Sequence, residues 1–151
     1  MYRRFIITTI LKASDSSYCN NFKNINMSAC ALTRPGNIVN YDQFKTLMQD
    51  EKVVVIDVRQ PEELKEHGAL PKGINVPLMN NELEEAFKSL TNEQFSKKYG
   101  HEKPDKDTPI IFSCMKGGRS TKAEEIALKL GYKNIKNFTG GWTEWAEKNK
   151  N

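Results

Sequence analysis

The sequence predicts an α/β fold built on a mostly parallel central sheet with helices on both faces. Short apolar runs rich in β-branched residues recur at 53–56, 74–76 and 110–112, and stretches with helical spacing lie between them. The runs at 53–56 and 110–112 are continuous rather than alternating, the pattern of strands covered on both sides. A chain of 151 residues suffices for one domain with a proper core, not two.

Each element has its own justification. Pro35-Gly36 marks the entry to the domain. Asn40 is an N-cap with Gln43 three residues on, opening a helix that buries Phe44, Leu47 and Met48. The strand at 53–56 runs into Asp57, at the carboxyl edge where open α/β sheets keep their sites. Pro61 opens a short helix in which Glu62, Glu63, Lys65 and Glu66 form a solvated face. Residues 70–73 turn the chain into the strand at 74–76. Residues 80–90 carry Leu83, Phe87 and Leu90 at helical spacing. Thr91 and Gln94 make a second capping box, for a helix that holds Phe95 and stops near Tyr99-Gly100. Residues 101–108 are a polar loop. After the strand that begins at Ile110, Ala123, Ile126, Ala127 and Leu130 give the next helix one apolar face, and Gly131 stands at its stop. Residues 132–138 form the last strand, and Gly140-Gly141 turn it into a final helix anchored by Trp142 and Trp145.

The net charge of +4 is unevenly placed. Residues 1–33 carry four basic groups against Asp15 alone; the rest carries 19 basic and 18 acidic groups. The body therefore gives no reason to invoke nucleic acid. The leader at 1–33 is poor in acid and contains Ser14, Ser16, Ser17 and Ser28, with Arg3, Arg4 and Lys12 flanking apolar residues. It reads as a mitochondrial transit peptide, with a secretory signal or a disordered tail as alternatives. Initiation at Met27 would give a nearly leaderless, cytoplasmic form. No apolar run is long enough to span a bilayer. Of three cysteines, Cys19 and Cys30 fall in the leader, so the body keeps one working thiol rather than a disulfide framework. His67 and His101 are far apart and suit the surface, and no metal or cofactor is called for.

That thiol is Cys114, which follows the strand and precedes Met115, Lys116, Gly117, Gly118 and Arg119. A strand-loop-helix turn aims backbone N–H groups at a point above the helix N-terminus, where the helix dipole also favours an anion. Beside Lys116 and Arg119, Cys114 should have a lowered pKa, with no histidine needed to activate it. Gly117 and Gly118 permit a tight path and the close approach of an anionic substrate. Arg119, at the helix start, is expected to grip that anion; Lys116, mid-loop, to steer it.

The loop resembles the active-site loop of the rhodanese family, in which a cysteine is followed by four residues and often an arginine. Asp57-Val58-Arg59 with Pro61-Glu62-Glu63 is similar to the family's first signature, residues 68–77 to its second, and Phe138-Thr139-Gly140-Gly141-Trp142 to its closing one. Ala69-Leu70-Pro71 departs from the histidine-isoleucine-proline often found in the second. The resemblance spans 37–148 and places a rhodanese-like domain at 37–149, as a single-domain member with that family's three-layer fold. It implies a thiosulfate sulfurtransferase working through a Cys114 persulfide, with Met115, Lys116, Gly117, Gly118 and Arg119 as the substrate-binding loop. It also implies a small anionic donor, thiosulfate, and a thiol or cyanide acceptor. Asp57 and Arg59 would be structural, as an ion pair or loop brace.

Two other classes fit parts of the pattern. A cysteine phosphatase or arsenate reductase also wraps an anion around a thiolate, but with five residues between cysteine and arginine where this chain has four. A non-catalytic binding or redox-sensing module would share the fold, although such modules commonly lack the cysteine.

Overall fold

The computed structural model describes residues 37–150; the segment read as a leader lies outside them. The elements run β1 (Ile38–Val39), α1 (Tyr41–Leu47), β2 (Val54–Asp57), α2 (Pro61–His67), β3 (Gly73–Asn75), a 3-10 turn (Met79–Asn81), α3 (Glu82–Lys88), α4 (Asn92–Tyr99), β4 (Ile110–Ser113), α5 (Gly118–Lys129), β5 (Ile135–Phe138) and α6 (Gly141–Lys148). The strands form one five-stranded sheet in the order β1-β5-β4-β2-β3, every pairing parallel.

The continuous apolar runs are explained by where alternate side chains go. Val54 and Ile56 of β2, with Ile110 and Phe112 of β4, join a core that includes Leu83, Phe87, Phe95, Ala123 and Tyr132. Val55 and Ile111 point the other way, into a core with Val39, Tyr41, Phe44, Met48 and Phe138. Both faces of the sheet are thus covered, as parallel strands require. The chain moves outward from β2 to β3, crosses back to β4, and continues to β5 on the far side. Its direction therefore reverses between β2 and β4, the place where open α/β sheets form a crevice at the carboxyl edge. Asp57 and Ser113 face each other there in register, and Cys114 comes next.

Several boundaries differ from the sequence reading, among them β2, which runs Val54–Asp57 rather than 53–56, and α3, which ends at Lys88 rather than Leu90. The edge strand β1 is only two residues long and has no periodic signature. β3 sits one residue early, although Val76 still donates to the Asp57 carbonyl at 3.0 Å. The expected strand over 132–138 begins only at Ile135. Lys133 donates instead to the Lys106 carbonyl, and Tyr132 packs against Phe87 with ring centroids 4.7 Å apart. α3 starts at Glu82 because Asn80 and Asn81 are both left-handed, with φ of 57° and 59°. Asparagine tolerates that conformation better than most residues.

The second core has an aromatic centre. Phe44 is fully buried, stacked on Phe138 at 4.3 Å and edge-on to Trp145 at 5.8 Å. Truncation there removes both contacts and leaves a cavity that rigid strands cannot fill. We expect Phe44→Ala to lower unfolding free energy by about 3–5 kcal/mol, measured by urea titration. A loss below about 1 kcal/mol would show that this core is not the one holding β5 and α6 together.

Candidate active site

Cys114 follows β4 and is 1 % exposed. The loop behind it is held from outside. Its Cys114 carbonyl accepts the Trp142 N–H at 2.8 Å, and its Met115 carbonyl accepts both the N–H and the hydroxyl of Thr143, at 3.2 and 3.0 Å. With these carbonyls turned onto the first turn of α6, the loop's amides are free to face the sulfur. Gly141 makes the approach possible. At φ +60° it takes a conformation other residues avoid, and a Cβ there would sit 2.7 Å from the Met115 oxygen. Gly117 has φ +90° and lies so close to Thr139 that a Cβ would stand 2.7 Å from its carbonyl oxygen. Gly118 is exposed, and a Cβ there would meet nothing within 4 Å.

Gly117 N–H donates to Cys114 Sγ at 3.1 Å, and Ser120 Oγ lies 3.5 Å from the same sulfur. Burial pushes the thiol up. The Ser120 hydroxyl and the amides of Ser120, Lys116 and Arg119 outweigh it, so Cys114 lies below its ordinary value. The positive end of the 12-residue α5 adds to the same field. No histidine is among the groups that lower the Cys114 pKa. His67 and His101 are exposed, and among the described residues no three His, Cys, Asp or Glu converge as a metal site.

The sequence reading missed Ser120. It lies on the buried stripe of α5 with Ala123 and Ala127, and a hydroxyl on an otherwise apolar stripe was the available signal. In the thiol form Cys114 donates to Ser120 Oγ while the hydroxyl donates to the Gly117 carbonyl at 2.9 Å. The hydroxyl has a single proton, so supporting a thiolate requires it to turn toward the sulfur.

Of the two loop cations, Lys116 is exposed and makes no ion pair with any described residue. Arg119 is committed elsewhere. Both its terminal nitrogens grip the two carboxylate oxygens of Glu63 on α2, Nη2 to Oε1 at 2.7 Å and Nη1 to Oε2. This corrects the expectation that Glu63 belongs to a solvated face. Glu63 is partly buried, also accepts the Gln60 N–H at 3.0 Å, and is held by Arg119 at a pKa of about 2. Fifty-six residues separate the partners, so no local pattern could have joined them.

Asp57 and Arg59 form a separate, fully buried pair. Arg59 Nη2 donates to Asp57 Oδ2 at 2.7 Å and to the Gly68 carbonyl at 2.9 Å, and the guanidinium lies 5.0 Å from the Trp142 ring centroid. Asn75 ties the same turn down through the carbonyls of Asp57 and Arg59. These residues brace the end of β2 against α6 and do not touch Cys114 through any hydrogen bond.

Residues 40–148 match the rhodanese-like domain family. The chain belongs to that family. The rhodanese-like chain is 43 % identical over 111 residues to the fruit-fly rhodanese domain-containing protein CG4456, covering 74 % of this chain and 97 % of that protein. It is 36 % identical to the baker's yeast mitochondrial thiosulfate sulfurtransferase RDL2, over 77 % of this chain and 76 % of that one. It is 32 % identical to a human thiosulfate:glutathione sulfurtransferase, over 73 % and 93 %. The solved human single-domain sulfurtransferase TSTD1 superposes with a TM-score of 0.69 at 30 % identity, covering 76 % of this chain and 98 % of that one. The three-layer fold is therefore shared, and sulfurtransferases stand among the chain's relatives.

The geometry yields a test of Ser120. Ser120→Ala removes a donor to the thiolate, so the thiol rises and less of it is ionised at neutral pH. Losing a hydrogen bond to a charged group should slow iodoacetamide alkylation of Cys114 at pH 7 by roughly tenfold. The rate recovers as pH is raised. An unchanged pH–rate profile would assign the hydroxyl to packing alone.

Proposed function

We propose that the chain is a sulfurtransferase that carries a sulfane sulfur on Cys114. The observation that supports this reading is a nearly buried thiol held low by converging amides, in a domain whose relatives are named sulfurtransferases. The Cys114 thiolate attacks the outer sulfur of thiosulfate. A new S–S bond forms, the bond from that sulfur to the sulfonate head breaks, and its electron pair leaves with sulfite. The terminal sulfur of the persulfide is anionic, and the loop N–H groups stabilise it as an oxyanion hole would. An acceptor, a thiolate or cyanide, then attacks the outer sulfur and releases the Cys114 thiolate. Arg119 and Lys116 serve the anionic donor, Gly117 and Gly118 leave it room, and Met115 acts through its backbone alone. A thiol acceptor is favoured by the human relative whose name includes glutathione.

Treatment of the purified protein with thiosulfate should add one sulfur, about 32 Da, to Cys114, removable by dithiothreitol and absent in Cys114→Ser. Cyanide turnover by Cys114→Ser near the unmodified rate would remove Cys114 from the mechanism.

We further propose a mitochondrial address in residues 1–33. Their charge asymmetry and the mitochondrial label of the yeast relative support it. Expression from Met27 should leave turnover intact and abolish mitochondrial import of a tagged chain. Import of the short form at the full-length level would refute the address.

A further inference from the structure

Arg119 lies in the first turn of α5, between the Gly117 N–H that donates to Cys114 Sγ and the Ser120 hydroxyl 3.5 Å from the same sulfur. Yet its guanidinium is already occupied by a carboxylate. Glu63 binds it through both oxygens, and Glu63 is itself oriented by the Gln60 N–H at the start of α2. Asp57 likewise neutralises Arg59. An anion approaching Cys114 therefore meets Lys116 as the loop's one uncompensated cation among the described residues. The Arg119 and Glu63 side chains are 31 % and 27 % exposed, so the pair can be reached from solvent. Both partners keep a solvent-facing side, so a competing anion can displace the carboxylate stepwise, one oxygen at a time.

We propose that Glu63 is a specificity-determining residue that competes with the substrate's oxyanion for Arg119. A head group with two oxygens on one charge matches the guanidinium fork as the carboxylate does, and can take its place. An acceptor without such a head group, cyanide for one, cannot. Arg119 is thus opened by an oxyanionic donor and closed again by Glu63 once the oxyanion departs. The sulfur acceptor then meets a site with less positive charge. This deepens the sulfur-transfer reading and rests on it for the donor's identity, but its test needs no sulfur donor.

The probes are iodoacetate, which carries a carboxylate, and iodoacetamide, its neutral counterpart, with Cys114 modification followed by intact mass on the full chain. In Glu63→Gln the iodoacetate-to-iodoacetamide rate ratio should rise roughly three- to tenfold at low salt and fall back at high salt. In the double variant Glu63→Gln with Arg119→Gln the rise should vanish. Glu63→Asp, which keeps the charge but withdraws it, should give an intermediate rise and serves if the glutamine variant does not fold. A ratio unchanged in either folded Glu63 variant overturns the proposal. So does a rise that persists without Arg119, because Glu63 would then be repelling the probe directly. Failure of iodoacetamide to modify the folded wild-type chain would show a closed site and overturn it as well. Lack of persulfide formation, by contrast, bears only on the sulfur-transfer reading.

Discussion

A buried thiol gives up its proton readily only where fixed donors replace the water its sulfur has lost. Here those donors are backbone amides of the loop and of the first turn of α5, and they face inward because the carbonyls beside them face outward. The outward carbonyls need partners of their own, which α6 provides through Trp142 and Thr143. The setting of Cys114 thus depends on a helix that gives its sulfur no hydrogen bond. α6 is held in turn by Trp142 and Trp145, both packed against the core that Phe44 and Phe138 centre. Packing energy in that core fixes where an electrostatic cradle can form.

The buried Asp57–Arg59 pair belongs to the same frame. Burying two charges is expensive, and such a pair is weak evidence for stability. Its geometry suggests registry instead. The arginine joins three segments distant in sequence: the end of β2 through Asp57, the turn after α2 through Gly68, and α6 through the face of Trp142. An apolar replacement of equal volume could fill the space but could not specify all three contacts at once.

The sheet was legible because burial on both faces leaves a continuous apolar run, and β2 and β4 carry it without interruption. The capping boxes at Asn40 and Thr91 were legible because each is a local exchange of hydrogen bonds over three residues. Cys114 stood out because glycines and cations follow a strand. β1 was invisible, since two residues carry no period. The left-handed step at Asn80 and Asn81 was hidden by a sequence that reads equally well as helix. The Glu63–Arg119 pair was hidden for a different reason. Glu63 sits among other charges on a short helix, and only the fold reveals that it alone faces the loop.

Ser120 and Arg119 have in common that each is held by a partner that can release it without being stranded. When the Ser120 hydroxyl turns to a thiolate, the Gly117 carbonyl keeps the Thr121 N–H at 3.1 Å and the Thr121 hydroxyl at 2.9 Å. When Glu63 gives up Arg119, it keeps the Gln60 N–H and gains solvent at a partly exposed position. A buried group left unsatisfied would cost about 1–3 kcal/mol at each such step. The network avoids that cost at both. The loop backbone is fixed by α6, and the Ser120 and Arg119 side chains are the two groups beside it whose partners could be exchanged without leaving a buried group unsatisfied. Rigidity where donors must converge, and exchangeable partners where charge must change, are compatible here because they fall on different atoms of the same short turn.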